Sequence, residues 1–551
     1  MTVPPVSSAH LRRPARSLLA AALGAVTGIA LLVPGGPAAA DTVPPAPTAA
    51  PGVTDLRADI NALLRDPLLE GATSGLVVRS LTEGDVLYRR EPGTPLIPAS
   101  NAKLLASAAA LDVLGAGHRF VTTVDGTAAP RDGVVHGDLY LVGTGDPTMT
   151  AERYDRLAAD VAASGVTAVT GDLLADDTWF DDERLGAGWH PADEPYYYAA
   201  QISALTVAAN DDYDTGVVEV TVTPGRRAGD RVRVGLTPAT DYVTVVNRAR
   251  TVRPADARGV SITRAPGGNT ITVSGTLPAG GAAQSDLRTV HEPTDFAAHV
   301  FADALAEHGV SVGGRIGRGT RPAGAVRLAR TESATLAEIL VPAMKLSNNG
   351  HAEMLIKAIG QEVSGEGSWR TGLAEVEAAL DRFGVGTRGL ELRDGSGLDR
   401  ANRIPARLVA DLLEAAREQP WSAEWENALP VAGAADRMVG GTLTNRMRGT
   451  AAAGNVRAKT GSLTGVSSLS GYVTGADGER LVFAILNNGY SGSPPRPVQD
   501  AIAVRLAEFS RTTPTPGVPR VPAAGVVPLR AAETGRAGEA GELECTWARA
   551  C

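Results

Sequence analysis

At 551 residues the chain has the length of three or four folding units, and its 63 Gly and 36 Pro stay below the share that marks a low-complexity or fibrous protein. A formal charge of −9, from 52 basic and 61 acidic residues, provides no overall positive field for a nucleic-acid backbone, so nucleic acid is not an expected partner. Two cysteines, Cys545 and Cys551, both in the last seven residues, exclude a disulfide-dense scaffold or a thiolate zinc cluster in the body, and leave open whether they pair with each other, between chains or not at all.

In chain order, residues 1–40 read as an export signal. Arg12, Arg13 and Arg16 form a basic start, 17–33 is uncharged and largely apolar, and Ala38-Ala39-Ala40 precedes Asp41. An uncleaved membrane anchor is the rival reading, against which stand the alanine-rich cleavage pattern and the Pro-rich stretch that follows. Either way the body is expected outside the cytoplasm, secreted or associated with the wall. A helix is expected over 55–69 and two strands over 74–88 around Glu83-Gly84. A further helix is expected over 101–114, stopped by Gly115 and Gly117, with Ser100 at its N-terminus. Between 121 and 330 short β runs at 138–142, 217–223, 231–236, 242–246 and 270–273 alternate with Gly, Pro and Asp turns, so this stretch reads as a separate β-rich unit with a nested module at about 213–287. Helical patterning returns at 336–345, 352–362, 374–383 and 408–418, and a hairpin pairs 469–473 with 481–486. From about Arg511 the composition shifts to Pro, Ala, Gly and Thr, the mark of a flexible tail.

Only four of the 52 basic residues are lysine: Lys103, Lys345, Lys357 and Lys459. Where arginine has replaced lysine nearly everywhere, a retained lysine points to a place that needs an amine able to lose its proton. Lys103 closes Ser100-Asn101-Ala102-Lys103, an S-x-x-K at the start of the expected helix, where i and i+3 share a face. A hydroxyl becomes a nucleophile when a base removes its proton, and a desolvated lysine is such a base. Lys459-Thr460-Gly461-Ser462 opens a strand-forming region, and its cation and hydroxyl suit a carboxylate while the glycine admits a close chain. Ser347-Asn348-Asn349 is an S-x-N element two residues after Lys345. A helix cap, a turn and solvated lysines would write the same letters singly; the order S-x-x-K, S-x-N, K-T-G is the one associated with penicillin-recognising enzymes.

On these motifs the chain resembles the low-molecular-mass class C penicillin-binding proteins, the D-alanyl-D-alanine carboxypeptidase/endopeptidase family, from about Asp55 to Ser510. The likeness extends through PASNAKLLASAAAL around Ser100, MKLSNNGHAEMLIK around Ser347, RDGSGLDRANRIP over 393–405 and AKTGSLTGVSSLSGYV around Lys459, with DDTWFDD (176–182) and GWHPADEPYYYAAQISAL (188–205) between the first two motifs. The 247 residues separating Ser100 from Ser347 agree with the large insertion for which that family is known.

The resemblance implies an α/β (α+β) fold of the penicillin-binding/β-lactamase-like transpeptidase type, an antiparallel sheet flanked by helices. Residues 41–120 and 331–510 would form the serine peptidase domain, 121–330 the β-rich insertion between S-x-x-K and S-x-N, and 511–551 the tail. It implies Ser100 as acylated nucleophile, Lys103 as its base, Ser347 as proton relay and Asn349 as holder of substrate amide and Lys103. Among the substrate-binding residues, Lys459 and Thr460 would bind the terminal D-Ala carboxylate, Gly461 would let the substrate chain lie close, and the backbone N–H groups of Ser100 and Ser462 would form the oxyanion hole. Asp176, Phe180 and Arg393 are the candidates for the substrate's side-chain pocket, with Asp177 able to replace Asp176 and a turn-supporting role open to all three. No cofactor or metal is implied; the partners are peptidoglycan stem peptides and, as inhibitors, β-lactams. Asn348 stands where Asp is often found and Ser462 where Thr is common. A β-lactamase or esterase on the same scaffold, or an inactive wall-binding protein, are the rival readings. There is no G-x-S-x-G and no H-E-x-x-H. His351 reads as a helix-start residue, Gly313–Gly317 as a β turn, and Trp189 with Tyr196-Tyr197-Tyr198 as packing in preference to a sugar platform.

Overall fold

The computed structural model describes residues 50–513, so the expected export signal, the stretch beyond Thr513 and both cysteines lie outside the described residues. Among the described residues no helix is long and apolar enough to cross a membrane.

Residues 481–486, Leu-Val-Phe-Ala-Ile-Leu, are apolar without a break, which in a strand means burial on both faces. Strand Arg480–Asn488 accordingly lies in the middle of a five-stranded antiparallel sheet, in the order Val86–Arg90, Thr73–Ser80, Arg480–Asn488, Val466–Thr474, Arg457–Leu463. Leu481, Phe483 and Ile485 join a core with Leu56 and Ile60 of helix Pro51–Leu63 and Val498 and Ile502 of helix Arg496–Ala507. Val482, Ala484 and Leu486 join another with Leu408, Val409 and Leu412 of helix Ala406–Ala416 and the whole of helix Ala102–Leu114. That last helix is buried on nearly every residue from Ala102 to Leu111, as its alanine-rich, all-round apolar sequence requires, and it packs against helix Asn349–Ser364. Gly115 ends it at φ 83°. The strands at 74–88 and the hairpin expected at 469–473 and 481–486 form as read, each one to three residues longer at its ends.

Residues between Val121 and Glu332 have a hydrophobic core of their own. Their largest sheet runs Ile316–Arg318, Leu173–Asp176, Leu139–Gly143, Val121–Gly126, Val326–Glu332, mixing parallel and antiparallel pairs. The strands from Val217–Thr223 to Gln284–Thr289 form a three-stranded and a four-stranded sheet. Two α-helices, Ala151–Ala163 and Pro293–Glu307, pack on each other and on the five-stranded sheet, so the β-rich insertion also holds two helices that the sequence reading did not place. In the first, Tyr154, Leu157, Ala158 and Val161 are buried at helical spacing. The residue chosen as the start of the tail, Arg511, is fixed by ion pairs to Asp85 and Glu479 across two hairpin turns.

The ends of the domain are clamped by Arg505, which is fully buried and donates from Nε to Asp59 Oδ2 at 2.6 Å while its Nη1 and Nη2 have no hydrogen-bond partner among the described residues. Removing the partner of a buried cation is costly. Asp59→Asn is expected to destabilise the fold by roughly 3 kcal/mol, read as a lowered melting temperature, and Arg505→Met in the same chain is expected to recover most of the loss.

Candidate active site

Three segments far apart in sequence converge on one side-chain amine. Ser100 sits in a single 3-10 turn, Ala99–Asn101, directly before helix Ala102–Leu114, so that Lys103 falls one turn further on the same face. Lys103 Nζ donates to Ser100 Oγ at 2.9 Å, to Asn349 Oδ1 at 2.7 Å and to the Ser396 carbonyl at 2.9 Å, and the side chain is 1% exposed. A second pair faces it. Lys459 Nζ, fully buried, donates to Ser347 Oγ at 2.7 Å and to the Thr460 carbonyl at 2.9 Å. Ser100, Ser347, Asn349 and Ser462 line one cleft together with Tyr197, Tyr198, Asp214, Gly397 and Leu398.

The edge strand Arg457–Leu463 carries the K-T-G residues and is stitched to the nucleophile turn. Asn101 Nδ2 donates to the Lys459 carbonyl at 3.1 Å, Ser468 Oγ to the Pro98 carbonyl at 2.8 Å, and the Asn488 amide pairs with both backbone groups of Ile97. Gly461 is required by this closeness. A Cβ there would stand 2.8 Å from Pro98 O and 3.0 Å from Ser100 N and would collide with Ser468 Oγ. Thr460 Oγ1 donates to Thr442 Oγ1 at 2.8 Å, and Arg496 Nη2 reaches Ser462 Oγ at 3.5 Å.

The S-x-N element is held from the insertion. Asn348 caps helix Asn349–Ser364 by accepting from the His351 amide, while Asn348 Nδ2 and His351 Nε2 both bond to the Tyr213 carbonyl, at 3.1 and 2.9 Å. This explains an asparagine in the middle position: its amide is both a cap and a donor, and an aspartate has no hydrogen to give Tyr213. Asn349 Nδ2 donates to the Tyr198 carbonyl at 2.8 Å, leaving Oδ1 for Lys103. Asp212 and Arg437 add an ion pair at 2.5 Å from the same loop to the segment leading to Thr442. Three of the seven non-glycine residues with positive φ among the described residues surround the cleft: Ala99 (47°), Tyr213 (59°) and Ser347 (60°). Strain of this kind collects where geometry is held for function.

Ser396 presents its carbonyl to Lys103 because two buried carboxyls shape its loop. Glu353 accepts from the Gly395 and Ser396 amides (2.9 and 2.7 Å) and from Trp369 Nε1 (2.8 Å). Asp394 accepts from the Gly397 and Asp399 amides and from Trp189 Nε1 and Asn402 Nδ2. Burial raises the pKa of both, and the charge of Asp394 adds to the rise at Glu353. Asp214, in the cleft wall, is pushed up to about 6 by burial against the bond it accepts from Asn210 Nδ2. Sequence reading singled out none of Asn101, Asp214, Glu353, Ser396, Thr442 or Arg496. The only signal was indirect: several lie inside the motif-bearing stretches.

Three expected pocket residues are not in the cleft. Asp176 ends strand Leu173–Asp176 and spends both oxygens on a turn, accepting from the Thr178 amide and hydroxyl and from the Arg321 amide. Phe180 is a core residue packed under Gly145 and Gly367. Arg393 is exposed and paired with Glu391 at 2.5 Å. Asp177, the alternative to Asp176, is taken by Arg184, Arg318 and Thr294. Trp189 packs edge-on against Trp369, whereas Tyr197 and Tyr198 reach the cleft. His351 is the helix-start residue expected. Burial pushes it down to about 4, against the Tyr213 bond.

Two outcomes follow from this geometry. Gly461→Ala is expected to keep the fold and lower the rate of acylation by a β-lactam by about 100-fold, because it pushes the strand off the nucleophile turn. The neutral His351 is favoured in the folded state, so its contribution to stability is complete above about pH 6.5 and is lost as pH falls toward 4. Melts between pH 7 and 4 are expected to show a loss of about 3 kcal/mol from this group, and His351→Gln, which retains a donor for Tyr213, is expected to flatten that part of the profile.

The defining pattern of the D-Ala-D-Ala carboxypeptidase 3 (S13) family matches residues 56–509. The D-alanyl-D-alanine carboxypeptidase of Actinomadura sp. (strain R39) is 54% identical over 505 residues, 91% of either chain. The carboxypeptidase DacB of Mycolicibacterium smegmatis is 30% identical over 526 residues, covering 89% of this chain and 95% of its own. Among solved structures, penicillin binding protein 4 (dacB) from Haemophilus influenzae is similar with a TM-score of 0.69 at 25% identity, over 79% of this chain and 94% of that one. With its two serine–lysine pairs set across one cleft, the chain belongs to the D-Ala-D-Ala carboxypeptidase 3 (S13) family.

Proposed function

We propose that this protein is an exported serine D-alanyl-D-alanine carboxypeptidase that trims peptidoglycan stem peptides and is acylated by penicillins. The observation that carries the reading is the meeting of Lys103 with both Ser100 and Asn349, opposite Lys459 with Ser347. The 54% identical D-alanyl-D-alanine carboxypeptidase supports the substrate class.

The roles follow from position. Lys103 takes the Ser100 proton as Oγ attacks the carbonyl between the two D-alanines. The oxyanion forms beside the N–H groups of Ser100 and Ser462, a reading supported by the close approach of Gly461 to the Ser100 amide and by Ser100 and Ser462 lining one cleft. Lys459 and Thr460 bind the terminal carboxylate, and Ser347, bonded to Lys459, passes a proton to the leaving D-Ala nitrogen. Water then attacks the Ser100 ester, releasing the shortened peptide and restoring the hydroxyl. The same acyl transfer on a cross-linked peptide is endopeptidase cleavage. Export is supported by the Arg12–Ala40 pattern.

Mass spectrometry after exposure to benzylpenicillin is expected to show one penicilloyl group on Ser100 that persists for minutes or longer, and none on Ser100→Ala. Lys103→Met is expected to lower the acylation rate by about 100-fold or more. Release within seconds would identify a β-lactamase, and a folded protein without any adduct an inactive binding protein.

A further inference from the structure

The nested sheets of the insertion carry a charge that runs against the rest of the molecule. Between Arg226 and Arg258 there are eight arginines and three aspartates, a net of +5 in 33 residues of a chain whose total is −9. All eight arginines are exposed. The fold concentrates four of them on one face. Arg231 stands directly opposite Arg250 in an antiparallel bridge, and Arg233 and Arg248 lie two residues further along each strand. Val232 and Ala249, between them, are buried in the insertion's core, so alternation turns the four guanidinium groups the other way.

This arrangement has no structural reason of its own. Like charges directly opposite across a strand pair are destabilising. Among the described residues none of the four is in an ion pair; Arg231 and Arg250 each bond only to a backbone carbonyl there, of Asn247 and Gly229, and the one ion pair made by the eight joins Arg253 to Asp256. Arginines that do serve the fold of the same sheets are buried and paired: Arg264 Nη2 with Glu194 and Thr289, Arg288 with the Ile262 carbonyl and Asp286. An unneutralised lattice of guanidinium forks suits repeated phosphate or carboxylate groups.

We propose that this face docks a linear, phosphodiester-linked anionic polymer of the wall, tethering the enzyme to the material it trims. The proposal rests on the wall-directed reading above for the polymer's location and on the arginine face alone for binding. Side chains two apart on a strand stand roughly 7 Å apart, a spacing matched by phosphates joined through three-carbon bridges. A lipid surface is disfavoured because none of the large exposed apolar residues lies between Val217 and Thr289, leaving no wedge to enter a bilayer. A nucleic acid is disfavoured because the single aromatic residue of that span, Tyr242, is stacked on Phe296, leaving no platform for bases.

The test is binding of the mature protein to poly(glycerol phosphate), with phosphatidylglycerol vesicles and double-stranded DNA as rival polyanions. The wild type is expected to bind the polymer at low salt, losing about tenfold or more in affinity between 50 and 200 mM salt. Replacing Arg231, Arg233, Arg248 and Arg250 by Ser is expected to weaken binding at least tenfold with an unchanged melting temperature, and replacing all four by Lys to keep binding within a few-fold. Penicillin labelling at Ser100 is expected to be equal in all three proteins and reports on the catalytic reading separately. Equal binding by the Ser variant, no binding by the wild type, or vesicles or DNA bound as tightly as the polymer would overturn the proposal.

Discussion

The structure turns on the confinement of one primary amine. Lys103 Nζ is surrounded by a hydroxyl, an amide oxygen and a backbone carbonyl, each from a different stretch of chain, and it is shut off from water. A buried amine needs such partners to be tolerated. Placing them requires helix Ala102–Leu114 at the centre of the molecule, helix Asn349–Ser364 packed on it, and the loop of Ser396 folded over Glu353 and Asp394. The edge strand with Lys459 is pinned to the nucleophile turn for the same purpose, since the second amine must meet Ser347 across the cleft. The antiparallel sheet between its flanking helices, expected from the resemblance, is the frame that makes these meetings possible.

The insertion takes part in this geometry. Its Tyr213 carbonyl accepts from the residue that caps the S-x-N helix and from the histidine three positions on, and its Tyr198 carbonyl orients Asn349 so that the amide oxygen faces Lys103. The inserted region therefore has two ends with different work: loops at the cleft that set the catalytic amides, and nested sheets whose outer face carries the arginine lattice. One excursion of the chain thereby carries both the contacts that order the cleft and the arginine face.

What was legible in the sequence was whatever depends on local order. Residues 481–486 announce a strand buried on both faces, and Ser100 with Lys103 announces a shared helix face. The retained lysines carried further information: all four are buried, two in the serine–lysine pairs of the cleft and two elsewhere, Lys345 on the Leu429 carbonyl and Lys357 between Asp181 and Trp369. Long-range partnership was not legible. Nothing local in the sequence marks Glu353 and Asp394 for burial; only the fold sets backbone amides around them. Asp176 and Phe180 belong to a motif-rich stretch whose conspicuous residues serve its own turn and core, and Arg393 neighbours the important loop without entering the cleft. The two helices of the insertion were missed although Tyr154, Leu157, Ala158 and Val161 of the first stand at i, i+3, i+4 and i+7, because the clear β runs on either side set the reading of the whole stretch.

Burial of every lysine has a chemical corollary. Arginine is a poor acyl acceptor, so the folded body offers no side-chain amine to activated esters or strained lactams in its surroundings. Among acylating species the reactive handle left in the cleft is a hydroxyl, and the surface itself is inert to aminolysis. Side-chain aminolysis is in this way closed to the folded body, and the acyl transfer it performs is kept from its own amines.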